Sequence, residues 1–289
     1  GAVAGPVRLA DDLVFSITGG NPDGAFGIEK NGSIVLEKPA ALDASKQSRV
    51  ELEVSAELKG RTEPLNTSVP IEVLPFNPKY GLLAHWSMEG TDRKKLIDRS
   101  GRGHDAVAYF VNRTKGVVGQ RGIYFGNRSY VDASAFRPKE TSKLTFTGWV
   151  RPTVFGRNKP IFYTANGGKP FGLHFGPTAS GKLHYSWSDN KKTWEWEGGP
   201  ALSPGGWSFV ALVIEPNRAV IYVGDRRGFE RAEHKVDHPP LEWVGLEIGR
   251  RPGEGKPIHF LGLMDEFRFY RHALEPLEIK RLFEEGQVR

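Results

Sequence analysis

The chain has 289 residues, 40 Lys/Arg against 34 Asp/Glu for a formal net charge of +6, and 38% hydrophobic residues. That length admits one large β domain with a small companion, and the 7 Trp and 17 Phe are enough to fill a core. The absence of Cys excludes disulfides, zinc-thiolate sites, iron-sulfur clusters and thiol catalysis.

No apolar run approaches the length of a membrane span. The opening GAVAGPV has neither the basic nor the apolar region of a signal peptide, so a leader is expected to have been removed or never included. From there the chain reads as short strands. LVFSITG, GSIVLE, VELEVSAEL and VPIEVL are β-branched or aromatic runs closed by Gly, Pro, Asn or Asp, and LTFTGWV, SFVALVIE and AVIYVGD continue the pattern. Only the C-terminus has helical period: Leu274, Ile279, Leu282 and Phe283 share one face of a short helix that Gly286 is expected to end. The fold class is all-β.

A boundary is expected at VLPFNPKYG, between a domain of residues 1–75 and one of residues 80–289, where Pro75 and Pro78 flank a strand end. Charge changes sign there. Residues 1–79 hold 8 Lys/Arg against 11 Asp/Glu, and residues 80–289 hold 32 against 23. The basic excess favours anionic partners such as acidic glycans. Its clusters, DRKK, GRRPGEGK and GDRRGFER, have acids nearby and match no nucleic-acid module, so a solvated surface is expected and no nucleic-acid partner.

The stretch KKTWEWEGGP, residues 191–200, reads as a strand with Glu195 and Glu197 on one face and Trp194 and Trp196 on the other. On the preceding strand Tyr185 and Trp187 share a face, and the turn SDNKK, with Asn190, joins the two. His174 in GLHFG and His184 in KLHYSW flank the turn GPTASG and are expected to face each other on the exposed side of a hairpin. Flat aromatic faces suit the CH-rich side of a sugar ring, with His and Asn supplying hydrogen bonds around it. One Trp/Tyr pair is expected in the core and the other partly outside. The spacing of Glu195 and Glu197 alone does not exclude glycosidase chemistry, which needs two carboxylates about 5 to 9.5 Å apart. In IDRSGRGHD, Asp98 and Asp105 read as a glycine-rich turn capped by its own acid.

Residues 11–74 resemble a cadherin-like repeat: a strand ending in a Gly-Asn turn, a Phe-x-Ile and Gly-x-Ile hairpin, a Leu-Asp turn and two closing strands. The resemblance implies a small Greek-key sandwich acting as a spacer. The repeat's first strand has no counterpart, which implies a larger parent polypeptide or an incomplete unit, and the repeat's calcium ligands are absent. After the boundary, GLLAHWSMEG, LIDRSGRGHDAVAYF, GIYFGNRSYVD with LTFTGWVRP, and GGWSFVALVIEPNRAVIYVGD through FLGLMDEFRFYRHALEPLEIKRLF follow in order. They resemble the laminin-G-like domains of the concanavalin A-like lectin and glucanase superfamily over residues 81–286. This resemblance implies a large two-sheet jelly roll with a structural calcium held by Glu89, Gly126, Asn127 and Asp265. The superfamily's glucanases carry three acids on alternate positions of one strand; here Glu195 and Glu197 would be followed by Gly199, so no catalysis is expected. The expected function is a non-catalytic carbohydrate-binding or adhesion module of a secreted, periplasmic or surface protein, with Trp194, Trp196, Trp187, Tyr185, His174, His184 and Asn190 as ligand residues. The alternatives are protein adhesion through a calcium-bearing edge and a glycan-active enzyme with an unrecognised site.

Overall fold

The computed structural model describes residues 13–287 except 39–40, 45, 60–62, 140, 165–168 and 254–255. The chain divides into two compact units, residues 1–77 and 78–289. The cadherin repeat's opening strand would involve residues 1–12, which lie outside the described residues.

The first unit contains β1 (Leu13–Gly19), β2 (Phe26–Ile28), β3 (Ile34–Leu36), β4 (Arg49–Leu58) and β5 (Leu65–Glu72). Strands β1, β4 and β5 form an antiparallel sheet in that order, and β2 and β3 form a separate hairpin. Along β4, Val50, Leu52 and Val54 are buried while Arg49, Glu51 and Glu53 are exposed, the period of two that a one-sided sheet requires. The buried face meets Phe26 of the hairpin in a small core of its own.

The second unit opens with β6 (Leu82–Trp86), β7 (Lys95–Leu96), β8 (Ala106–Tyr109), β9 (Asn112–Thr114), β10 (Gly122–Phe125) and β11 (Tyr130–Ala133). Next come β12 (Leu144–Pro152), β13 (Pro160–Thr164), β14 (Phe171–Phe175), β15 (Leu183–Trp187) and one helical turn, α1 (Lys191–Trp194). The rest is β16 (Ser208–Glu215), β17 (Arg218–Asp225), β18 (Gly228–His234), β19 (Leu246–Ile248), β20 (Arg250–Arg251), β21 (Ile258–His259), β22 (Gly262–Tyr270) and α2 (Pro276–Gln287). One sheet has the order β18-β17-β16-β12-β22-β10-β9, with β6 also paired to β22, and the other the order β15-β14-β13-β19-β11-β8-β7. This is a two-sheet jelly roll.

The inner faces meet in aromatic packing. Phe146 on β12 lies 4.6 Å from Phe162 on β13, 5.0 Å from Phe267 and 5.1 Å from Phe269, centroid to centroid. A bulge opposite Gly148 puts Glu266 at φ 53° and lets both Met264 and Phe267, three residues apart, turn inward. Gly148 has no room for a side chain, because a Cβ there would stand 2.5 Å from the Phe267 ring.

The outer face of the eight-stranded sheet is covered by α2, whose Phe283 stacks on Trp149 at 5.8 Å and packs against Phe209 and Phe229. Leu274, expected on the helix, is buried just before it. Gly286 does not end the helix: it is buried inside the last turn, where a Cβ would meet the Trp149 ring at 2.6 Å, so it is the contact that seats the helix.

The turn between β7 and β8 is organised by one carboxylate. The side chain of Asp98 is fully buried and accepts hydrogen bonds from the amides of His85 (2.9 Å), Ser100 (2.9 Å) and His104 (3.0 Å) and from the Ser100 hydroxyl (2.8 Å). Asp105 in turn accepts the Asp98 amide and pairs with Lys95. Burial acts to raise the Asp98 pKa, but the donors outweigh it and hold the carboxyl below its ordinary value. Its contribution to stability is therefore complete at neutral pH and is lost as the pH falls through the lowered folded value. Asp98→Ala leaves these donors without an acceptor and is expected to cost about 2–4 kcal/mol in denaturant unfolding at pH 7. The deficit relative to wild type should shrink as the pH drops below 4.

Candidate functional site

The β14-β15 hairpin builds the site by strand alternation. Leu173, Phe175, Leu183, Tyr185 and Trp187 point into the core, so His174, His184 and Ser186 occupy the outer face. His174 stands opposite His184 in the register, with ring centroids 6.2 Å apart. Both are buried, at 3% exposure, in place of the exposed hairpin face the sequence suggests. What covers them is the segment after β15.

That segment is not a strand. Asn190 caps α1, its side-chain oxygen accepting the Lys192 amide at 3.1 Å while its amide group donates to the Asp237 carbonyl at 3.1 Å. Asn190 is thus committed to local structure. Thr193, fully buried, accepts the Trp187 amide at 3.0 Å and fastens the turn to β15. The chain then leaves the turn at Glu195 and runs back beside β15, where the Leu183 amide donates to Pro200. Gly199, the place of a third acid in a glucanase strand, lies so close that a Cβ would be 1.8 Å from the Leu183 carbonyl oxygen.

The aromatic pairs separate accordingly. Tyr185 and Trp187 are fully buried and cannot touch a ligand. The Tyr185 hydroxyl lies between His234 (2.9 Å) and His238 (3.0 Å), and the Trp187 indole donates to the Pro239 carbonyl. Trp196 is half-buried, stacked on His234 at 4.8 Å with the rings 2° from parallel. Trp194 is also half-buried but lines a cleft of about 530 Å³. His174, His184 and Ser186 form part of its lining, Tyr163 supplies a second aromatic side chain, and Asn158, Glu195, Glu197 and Arg251 complete it. Arg251 holds its guanidinium 4.9 Å over the Tyr163 ring. Tyr163 and Arg251 carried no signal in the sequence, because they meet His174 only through sheet pairing and the turn after β19.

Burial pushes His174 down to about 4, so the ring is neutral at physiological pH. Its Nδ1 faces the Phe175 carbonyl at 3.0 Å, which can only accept, so Nδ1 carries the proton and Nε2 accepts the Ser186 hydroxyl at 3.0 Å. By the same reasoning His184 donates from Nδ1 to the Trp194 carbonyl at 3.2 Å. The cleft therefore holds the neutral His174 ring and the His184 ring in its floor, with two aromatic side chains, two solvated carboxylates and one guanidinium around them. Glu195 and Glu197 are both exposed, so neither has the buried setting that separates a catalytic acid from its partner base.

The four residues expected to hold calcium do not assemble. Ile123 of β10 pairs with Met264, which sets Gly122 beside Asp265, whereas Gly126 and Asn127 follow the opposite end of β10. At ~3.3 Å per residue the Gly126 backbone is about 13 Å from the level of Asp265. Glu89 and Asp265 instead brace one loop: Glu89 accepts the amides of Gln120 (2.9 Å) and Arg121 (3.0 Å), and Asp265 those of Val117 and Val118 (3.0 Å each). The second oxygen of Asp265 is buried without a partner, but calcium takes six or more oxygens, and no three acidic or histidine side chains gather among the described residues. Together, the four residues do not form one calcium site, because Gly126 and Asn127 lie a strand's length from Asp265.

A profile of the concanavalin A-like lectin/glucanases superfamily matches residues 125–280. Domain 4 of AbnA, an extracellular arabinanase from Geobacillus stearothermophilus, solved in complex with arabinotriose, is similar in structure with a TM-score of 0.52 at 19% identity, covering 70% of this chain and 97% of that one. A Trypanosoma rangeli sialidase mutant displaying trans-sialidase activity gives 0.54 at 13% identity, over 83% of this chain and 44% of its own. The botulinum neurotoxin serotype D binding domain gives 0.51 at 11% identity, over 73% and 52%. This chain thus spans about half the length of the last two. At such identities the likeness is one of fold. No curated protein matches the chain by sequence.

Burial pushes the Asp265 carboxyl up to about 8, against an ordinary value of 3.8, despite the amides of Val117 and Val118. A carboxyl raised in the folded state stabilises fully below the ordinary value, loses that contribution as pH rises, and has none left above about 8. In chelator, the unfolding free energy of wild type should fall more steeply between pH 5 and 8 than that of Asp265→Asn, by up to about 1.4 kcal/mol per pH unit at the limit. Equal slopes would mean that Asp265 is ionised throughout. A rise in melting temperature on adding calcium, lost in Asp265→Asn, would return the ion to this carboxylate.

Proposed function

The chain belongs to the concanavalin A-like lectin/glucanases superfamily, and from that membership we propose that its jelly roll is a carbohydrate-binding module that holds a glycan in the β14-β15 cleft without hydrolysing it. The observation that carries this reading is the cleft's composition. Trp194 provides aromatic surface for a sugar's CH face, while Asn158, Arg251 and the two exposed carboxylates offer donors and acceptors for its hydroxyls. The arabinotriose bound by the arabinanase domain is a ligand of the same chemistry.

Binding without catalysis follows from the two acids. Glu195 and Glu197 lie in the cleft, which is the observation favouring a glycan-active enzyme, but both are solvated on a loop and Gly199 leaves no place for a third. The first unit, with its sheet and hairpin, serves in this reading as a cadherin-like spacer, and the whole works outside the cell or at its surface. No helix among the described residues is long and apolar enough to cross a membrane.

The test separates the two half-buried tryptophans. On a glycan array followed by calorimetry, Trp194→Ala should weaken binding at least about tenfold, ~1.4 kcal/mol, with the melting temperature kept. Trp196→Ala, which removes the stack on His234, should lower the melting temperature. Reducing ends should not accumulate from any bound polysaccharide; release abolished by Glu195→Gln or Glu197→Gln would make the protein an enzyme.

A further inference from the structure

A larger cleft, about 790 Å³, opens elsewhere on the second unit and shares no residue with the first. That volume is within the range of small-molecule sites, about 300–1,000 Å³. Its aromatic surface is the half-buried Trp207, at the entrance to β16, beside the buried Trp149 of β12. Three arginines reach it: Arg151 near the end of β12, and Arg226 and Arg227 from the turn between β17 and β18.

Their commitments differ. Arg227 is held by Asp225, the one acid in the lining, with its Nη2 2.8 Å from Oδ2. Among the described residues Arg151 uses its Nε alone, which donates to the Gly205 carbonyl at 2.7 Å and fixes the side chain while leaving its terminal nitrogens for a ligand. Arg226 is exposed and pairs with no carboxylate among the described residues. Two guanidinium groups therefore have donors to offer in one cleft, and a guanidinium matches a planar or tetrahedral oxyanion with paired N–H bonds. Next to Trp207 in the lining the backbone is bare: a Cβ added at Gly205 or Gly206 meets nothing within 4 Å. A ring can thus approach the chain there. Two uncommitted guanidinium groups suit one or two oxyanions on a ring and are few for a nucleic-acid backbone, which carries a charge at every step.

We propose that this cleft is a second, separate binding site, for an anionic sugar whose ring lies against Trp207 and whose carboxylate or sulfate is taken by Arg151 and Arg226. It stands apart from the β14-β15 cleft and does not depend on that cleft binding anything.

The experiment titrates the Trp194→Ala protein, in which binding at the first cleft is weakened, with three oligosaccharides of equal length: a uronate, a sulfated one and a neutral one. The expected result is binding of the uronate or the sulfated sugar and not the neutral one, weakened at least tenfold in Arg226→Ala. Which of the two binds identifies the oxyanion. Gly206→Leu is the second variant: Gly206 is not in the left-handed region and its added side chain enters open space, so the melting temperature should hold while the cleft is blocked and binding is lost. The proposal is overturned if neither acidic sugar binds, or if binding is unchanged in both Arg226→Ala and Gly206→Leu. Equal binding of the neutral sugar, or tighter binding of a single-stranded oligonucleotide than of either acidic sugar, would also overturn it.

Discussion

Everything else in the second unit depends on the meeting of two aromatic sheet faces around Phe146, Phe162, Phe267 and Phe269. Burial of large rings is the main favourable term available to a chain with no disulfides. Because side chains alternate along a strand, committing one set of positions to that layer commits the other set to the outside. The outer face of each sheet is then a consequence of the inner one. On β14 and β15, turning Phe175, Leu183 and Tyr185 inward is what brings His174, His184 and Ser186 out.

The two outer faces are finished differently. On the eight-stranded sheet the helix α2 lays Phe283 on Trp149 and closes the surface over the strands it covers, with Gly286 giving the close approach. On the seven-stranded sheet the covering element is the short segment after β15, which has one helical turn and no regular structure beyond it. Such a segment cannot seal the face. It is fastened at Thr193, through the stack of Trp196 on His234, and by the backbone bonds near Gly199. Between these fixings lies the cleft that Trp194 lines together with the histidines. Polar groups buried beneath it are paired, His174 with Ser186 and His184 with the Trp194 carbonyl, so the floor is ordered without a ligand.

The acids of this unit are mostly structural. Asp98 gathers the donors of a turn, and Glu89 and Asp265 each brace two amides of one loop. Backbone amides are natural partners of such carboxylates, because an ionised carboxylate accepts strong hydrogen bonds from N–H groups. The family resemblance had pointed to four calcium ligands. It identified the strands correctly, but the register of β10 against β22 sets Gly126 and Asp265 at opposite ends of a strand.

By itself the sequence determined whatever a periodicity or a turn residue can express. The alternation in LTFTGWV told which side chains of β12 face the core, the helical spacing of Ile279, Leu282 and Phe283 announced α2, and the glycines and acids of IDRSGRGHD described a turn that caps itself. His174 and His184 were placed opposite each other by counting across one hairpin. Tertiary structure decided the rest, because each remaining feature joins positions with no common period. The alternation of Trp and Glu in KKTWEWEGGP mimics a strand, yet Asn190 and buried Thr193 win the first residues for a helical turn, since a satisfied cap and a packed hydroxyl outweigh a pattern that pairs with no neighbour. Trp194 and Trp196 look equivalent in sequence and differ only because His234, from a strand of the other sheet, stacks on one of them. Tyr163 and Arg251 join the first cleft, and Trp207 and Arg226 the second, through strand order alone. Strand order follows from how two aromatic layers close on each other, a non-local condition that no short stretch of sequence carries.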